Sequence, residues 1–291
     1  MTDAIHSMTG FARCERETPI ATLCWELRTV NHRYLDVSLR IHESLRPLEA
    51  DLRALIGQHV NRGKVDGFLS VQFNDAEQSR VELDNHLLRS LRDASQTAEQ
   101  VFRGARAPSV LELMKWPGVI RDQRPDTTSL HDDIEALLAK TLTALGDMRS
   151  REGAHLATTL LQRCDEIAQL TETIAARRPE VIAASQQRLR ERLGKLDVET
   201  DPARIETELV LQAQKLDVDE ELDRLHGHLN ETRHIIADGS PCGRKLDFLM
   251  QEFNREANTI GSKSADGITT KATVDMKVAI EQMREQVQNI E

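Results

Sequence analysis

Three segments near the end of the chain constrain its fold more than anything else in the sequence. Leu246, Met250, Phe253, Ala257 and Ile260 step by four, three, four and three, and Met276, Ile280, Met283, Val287 and Ile290 repeat the pattern. Leu222, Leu225, Leu229 and Ile236 keep a heptad spacing, with Thr232 as the one polar member. A stripe this narrow occupies one side of an α-helix and stays wet unless another helix covers it. The three segments are therefore expected to be helices packed on helices, within one chain or between copies. Composition bears on the second option. Only 3% of the 291 residues are aromatic and 39% are hydrophobic, which leaves little large apolar area for one thick core. Burying helix faces in a partner chain recovers such a shortfall.

The opposite end of the chain has another period. Ser7 to Cys14 and Thr22 to Val30 read as strands, with Thr18-Pro19 as the turn between them. Leu35, Val37, Leu39 and Ile41 alternate with Asp36, Ser38 and Arg40, the period of two that a half-buried strand shows. Leu48, Leu52, Leu55 and Ile56 predict a helix over about 46–60, Asn61 to Lys64 a turn, and Gly67 to Phe73 a further strand. The fold class expected is α+β: an N-terminal antiparallel sheet-and-helix domain, then a mainly α-helical region of long amphipathic helices. Asp84 can cap a helix reaching about residue 102, and Pro108-Ser109 starts a short one that ends at Trp116-Pro117-Gly118. Ser129 is expected to cap a very long helix, weak at Gly146 and Gly153 and ended by Pro179. Glu180 to Leu193 predicts another helix, and Asp201-Pro202 the start of the next. The expected organisation is an α+β domain over 1–155 ending in the long helix, a helical connector over 156–204 and a helical domain over 205–291.

The net charge of −10 excludes a basic nucleic-acid-binding module as a description of the whole chain. The charge is uneven, however. From Arg28 to Lys64 there are seven Lys/Arg against four Asp/Glu, a balance of +3; from Ile205 to Glu291 there are ten against seventeen, a balance of −7. A basic strip beside an acidic half suits a nuclease, in which cations hold phosphates and carboxylates hold a metal. It equally suits an acidic protein with solvated helix faces. Cys14, Cys24, Cys164 and Cys242 form no C-x-x-C pair and no zinc-finger set with the histidines, and read as thiols in a reducing compartment. Residues 1–10 carry no apolar targeting segment and no stretch reaches membrane-spanning length, so a cytoplasmic protein with no membrane partner is expected.

On a helix, Arg244 to Thr259 places a polar stripe on each side of its apolar one. Asp247, Gln251, Asn254 and Asn258 share one flank; Glu252, Glu256, Thr259 and Lys263 share the other, with Arg255 between. Two glutamates four apart can both ligate a hard divalent cation, or can simply wet one side of the helix. A second acidic stretch, Asp217 to Arg224, leads to His228, with Glu221, Arg224 and His228 near one face. A histidine among carboxylates can ligate a metal or move a proton; acidic residues at this place also suit the positive end of a helix dipole.

These residues also carry a resemblance. "MTGFA" at 8–12, "TVNHRYLD" at 29–36, "RGKV" at 62–65 and "WPGV" at 116–119 are similar to the YicC family of bacterial proteins. So are "DVDEELDRLHGH" at 217–228, "RKLDFLMQEFNREANTIGSKS" at 244–264 and "EQMREQVQNIE" at 281–291. Two positions depart from the family's pattern: His42 stands where a proline is usual, and Gly261 where alanine is common. The resemblance implies an endoribonuclease that cleaves single-stranded RNA with a divalent cation, Mn2+ or Mg2+, and takes part in small-RNA turnover. It also implies a homo-hexamer, a link to stress, and contact with other RNA-decay enzymes. On that expectation Glu221, His228, Glu252 and Glu256 hold the metal, and His228, Glu252, Arg255 and Glu256 form the catalytic group. Arg244, Lys245 and Arg255 meet the RNA near the cut, and Arg33, Arg62 and Lys64 track its flanking backbone. A non-catalytic oligomeric adaptor that delivers RNA to another nuclease is the competing expectation.

Overall fold

The computed structural model describes residues 5–74, 82–102, 106, 108–121, 128–195, 202–239 and 241–291. Strands β1 (Gly10–Glu17), β2 (Ala21–Val30), β3 (Leu35–Arg40) and β4 (Gly63–Phe73) form one sheet in the order β1-β2-β4-β3. A 3-10 turn over Glu43–Leu48 and helix α1 (Glu49–His59) connect β3 to β4. That crossover makes β3 and β4 parallel while the other pairs are antiparallel, so the sheet is mixed and not all antiparallel as expected. β4 also begins four residues earlier than the hydrophobic alternation predicts. Gly63, at φ +110, turns the chain straight into the sheet. His42 caps the 3-10 turn, its Nδ1 accepting from the Ser44 amide at 3.3 Å.

Asp84 caps α2 (Asn85–Val101) by accepting from the His86 and Leu87 amides, and Ser109 with Glu112 forms a capping box on α3 (Val110–Met114). Short strands β5 (Glu82–Leu83) and β6 (Ile120–Arg121) pair beside them. Next comes α4 (His131–Gly194), one uninterrupted helix of 64 residues, roughly 96 Å long. Two expectations are corrected here. Ser129 lies in a 3-10 turn, Thr128–Leu130, and the helix cap falls on Leu130. Pro179 does not end the helix. It sits between good helix formers, Ala175-Ala176-Arg177-Arg178 before it and Glu180 after it, and the turns on either side carry the chain past the missing amide. Asp201 lies outside the described residues. Helices α5 (Pro202–Lys215), α6 (Asp219–Asp238), α7 (Gly243–Lys263) and α8 (Gly267–Val287) complete the chain.

Two cores are strung along α4. Leu23, Trp25, Leu27 and Val65 of the sheet pack with Leu52 and Ile56 of α1 against Ile134, Leu137, Leu138 and Leu142. Trp25 Nε1 donates to the Ile134 carbonyl at 3.1 Å, which satisfies the indole inside this core. Further along α4, Leu156, Leu160, Cys164 and Ile167 pack with Leu225, Leu229, Leu246, Met250, Phe253, Met276, Ile280 and Met283. All three heptad stripes thus find their cover within one chain. Thr232, fully buried, returns its hydroxyl to the His228 carbonyl at 2.8 Å.

The two cores meet at a clasp. Ser7 bridges to Ile290, the Met8 amide donates to the Asn289 carbonyl at 2.7 Å, and the Glu291 amide donates to the His6 carbonyl at 3.0 Å. Arg149 of α4, almost fully buried, donates to the Ser7 carbonyl at 2.6 Å and ion-pairs with the Glu291 carboxylate. Gly153 lets Ile5 lie directly on α4; a Cβ there would collide with the Ile5 carbonyl.

Candidate functional site

Helices α6 and α7 run antiparallel, as their side-chain pairs show. His228 meets Phe253, Arg224 meets Glu256, and Glu221 meets Lys263, so moving back along α6 moves forward along α7. The apolar stripes hold the two helices in this register, and the polar flank beside them is carried to a common edge.

At that edge His228, Glu252 and Glu256 each point one ligand atom into a space where all lie within 4.8 Å of one another. Glu252 and Glu256 are one helical turn apart, which puts both carboxylates on the same flank. The His228 ring stands edge-on to Phe253, with centroids 5.6 Å apart and an interplanar angle of 70°. Its Nε2 is buried and has no hydrogen-bond partner among the described residues. A buried ring nitrogen left this way costs free energy unless a ligand completes it. The neighbouring His226 makes a useful contrast, since both of its ring nitrogens are engaged, by the Leu222 carbonyl at 2.9 Å and Glu172 at 3.2 Å.

Glu256 is 2% exposed and takes a hydrogen bond from Arg224 at 3.3 Å; Arg224 also pairs with Glu220. The hydrogen bond to Glu256, then the Glu220 charge, raises the guanidinium above its ordinary range and fixes its positive charge beside the cluster. Glu252 is partly open and lies 3.7 Å from Arg255, a mostly exposed side chain. Arg255 stands at the rim and lines a groove of about 530 Å³ with Gln251, Asn254, Asn258 and Arg284.

The remaining expected residues fall elsewhere. Glu221 is buried but turned to Lys263, whose ammonium it accepts at 2.7 Å, so it is outside the group of three; its second oxygen has no partner among the described residues. Arg244 and Lys245 are exposed on the first turn of α7, roughly 11 Å along the helix from Glu252. Arg33, Arg62 and Lys64 gather at one end of the sheet. Arg62 donates to the His32 carbonyl at 3.1 Å, Arg33 lies 5.3 Å from the centre of the Tyr34 ring, and Lys64 is 3.6 Å from Asp66. The Asn31 side chain of the same loop donates to the Gln288 carbonyl at 2.6 Å, which ties this end of the sheet to the helical layer. Sequence reasoning missed the contacts of Arg224 and Lys263 because their partners lie 32 and 42 residues away, where helical spacing carries no signal.

Comparison with known proteins covers nearly the whole chain. Residues 5–158 match the family model described as "Endoribonuclease YicC-like, N-terminal region", and residues 174–291 match "Endoribonuclease YicC-like, C-terminal". A Haemophilus influenzae protein named "Probable endoribonuclease YicC" is 38% identical over 287 residues, 99% of this chain and 100% of that one. A Clostridioides difficile protein of the same name is 32% identical over 290 residues, 98% of this chain and 99% of that one. The chain therefore belongs to the YicC-like endoribonuclease family. No helix among the described residues is long and apolar enough to cross a membrane.

Proposed function

We propose that the protein is a divalent-metal-dependent endoribonuclease that cuts single-stranded RNA in the cytoplasm, with small RNAs among its targets. The observation that carries this reading is the convergence of His228, Glu252 and Glu256 at an edge where His228 also keeps a buried Nε2 with no partner among the described residues. One imidazole with two carboxylates suits Mn2+ better than Mg2+, which prefers an all-oxygen shell. His228, Glu252 and Glu256 would hold the ion, and the bound ion would supply charge neutralisation at the phosphate and an acidified water. The protein's own contribution is positional. Phe253 fixes the His228 ring, and Arg224 holds Glu256 in place while leaving the cluster one positive charge. Arg255, exposed and beside Glu252, is placed to take a non-bridging phosphate oxygen from the open side. Arg33, Arg62 and Lys64 would follow the flanking backbone as a separate cationic patch.

The test is cleavage of a labelled single-stranded RNA by highly purified protein with added Mn2+, with and without chelator. Glu252→Gln and Glu256→Gln are each expected to abolish cleavage that chelator also abolishes. If both variants cut normally, the site is wrong. The second reading, an adaptor that passes RNA to another decay enzyme, is favoured by one contact: Glu256 is already paired with Arg224, as a purely structural carboxylate would be. Metal-independent RNA binding with no cleavage would select it. Assembly as a homo-hexamer belongs to the same proposal. It is supported by α2, which buries none of its described side chains, and by Val274 and Val278, half exposed one turn apart on α8.

A further inference from the structure

The outer face of the four-stranded sheet carries side chains that the fold does not use. In register across the strands, Phe11 of β1 lies opposite Arg28 of β2, and Phe68 of β4 lies between Glu26 of β2 and Arg40 of β3. Phe11 is 52% exposed and Phe68 48%. A sheet with one face in water normally alternates apolar-in and polar-out, and β2 and β4 otherwise do so here, with Trp25, Leu27, Val65 and Leu69 inside and Glu26, Arg28, Asp66 and Ser70 outside. The chain has only six phenylalanines, so placing two of them outward on one sheet calls for a reason beyond packing.

The cations beside them are distinctive too. Arg13, Arg16, Arg53 and Lys64 all pair with carboxylates, yet among the described residues no carboxylate lies within ion-pair distance of Arg28 or Arg40. Both are exposed, and both line, with Phe11 and Phe68, a groove of about 790 Å³ walled at the β1 edge by Met148 and Glu152 of α4.

Exposed rings with one unneutralised guanidinium between them and a second beyond Phe68 are complementary to a single nucleic-acid strand, whose bases offer π-faces and whose phosphates offer charge. We infer that this sheet face is a stacking platform for unpaired RNA, in which Phe11 and Phe68 each take one base, Arg28 takes the phosphate between them and Arg40 the phosphate beyond Phe68. The inference rests on the reading that the protein acts on RNA, and adds a binding surface separate from the carboxylate cluster. Two strand spacings place the rings roughly 10 Å or more apart, so the two bases are splayed, not stacked on each other. A duplex cannot present bases in this way, and the platform therefore selects single strands.

The test is fluorescence anisotropy of the full-length protein with a labelled oligouridylate 12-mer, in chelator so that binding is read without cleavage. Phe11→Leu and Phe68→Leu keep apolar bulk but remove the ring; each is expected to weaken binding about tenfold with an unchanged salt slope. Phe68→Trp should restore it. Arg28→Ala and Arg40→Ala should each lower the salt slope by about one. Wild-type affinity in the Phe11→Leu/Phe68→Leu double variant, with its unfolding curve unchanged, overturns the platform while leaving the nuclease reading standing. A fall in oligomer mass with RNA affinity unchanged also overturns it, and assigns the face to contact between copies. Failure of the wild-type protein to bind the oligonucleotide at any salt overturns both this inference and the RNA-directed function.

Discussion

The two halves strung along α4 treat their polar side chains in opposite ways. The sheet puts its charges and two aromatic rings on an open face, where they contribute nothing to its core. The helical layer instead draws Glu221, Glu256 and the ring nitrogen of His228 inward, where each unmatched atom carries a desolvation cost. An open surface of this kind suits a ligand that is long and loosely specified. A buried, incompletely satisfied cluster suits a small, highly charged one. The contrast suggests a division of labour, with binding at the sheet and chemistry between α6 and α7, and the two should be separable by substitution.

The largest effect is expected at the cluster. Glu256→Gln should lower single-turnover cleavage at least ~100-fold while leaving RNA affinity in chelator near wild type. Equal losses in both measurements would merge the two regions into one site. The next effect concerns what joins them. Arg149→Met removes the ion pair with the Glu291 carboxylate and the donor to the Ser7 carbonyl, so equilibrium denaturation should show a loss of about 3 kcal/mol. Gly153→Ala, which forces Ile5 off α4, should cost about 1–3 kcal/mol by the same measurement. If either variant unfolds in two steps where the wild type unfolds in one, the two cores are cooperative only through the clasp.

A smaller effect should be confined to the helical layer. Asp266 caps α8 and pairs with Arg177. Burial pushes its carboxyl up, but hydrogen bonds from Thr269, Arg177 and the Ile268 amide outweigh that, and the net shift is downward. A carboxylate with a depressed folded-state pKa stabilises the protein above its unfolded pKa and loses that contribution as pH falls through the folded value. Asp266→Ala should thus cost about 1 kcal/mol at neutral pH, with the difference from wild type beginning to shrink only below about pH 4 and lost once pH passes below the depressed folded value. The smallest effect is kinetic: burial pushes the Cys164 thiol up to about 11, so iodoacetamide should label Cys14 and Cys24 well before it labels Cys164.

Periodicity makes most of this fold legible in the sequence. The stripes of α6, α7 and α8, the alternation in β2 and β3, and the Asp84 and Ser109 caps are local signals, and the structure follows them. What local pattern could not carry was pairing at a distance. The parallel partner of β3 depends on a crossover, and the course of α4 through Pro179 depends on flanking turns strong enough to tolerate the lost amide. The candidate site divides along the same line. Glu252 and Glu256 are visible as an i, i+4 pair, and His228 as a histidine after an acidic turn. The diversion of Glu221 to Lys263 follows only from the antiparallel register of two helices. The outward rings Phe11 and Phe68 were hidden for another reason, since an aromatic residue in a strand reads as core until the facing layer is known.

The bridge from Ser7 to Ile290 has a consequence for how the chain comes to be folded. Its two sides are 283 positions apart, so β1 can begin to pair with β2 early, but residues 5–8 have no strand to lie against until 289–291 have been made and α8 has docked. Closing so long a loop adds little to the equilibrium cost, which grows only with the logarithm of its length, yet contacts of such separation come late in folding. The sheet and α4 can therefore assemble while Arg149 still lacks its pair with Glu291, and residues 289–291 complete the pairing of residues 6–8 only after α8 has docked.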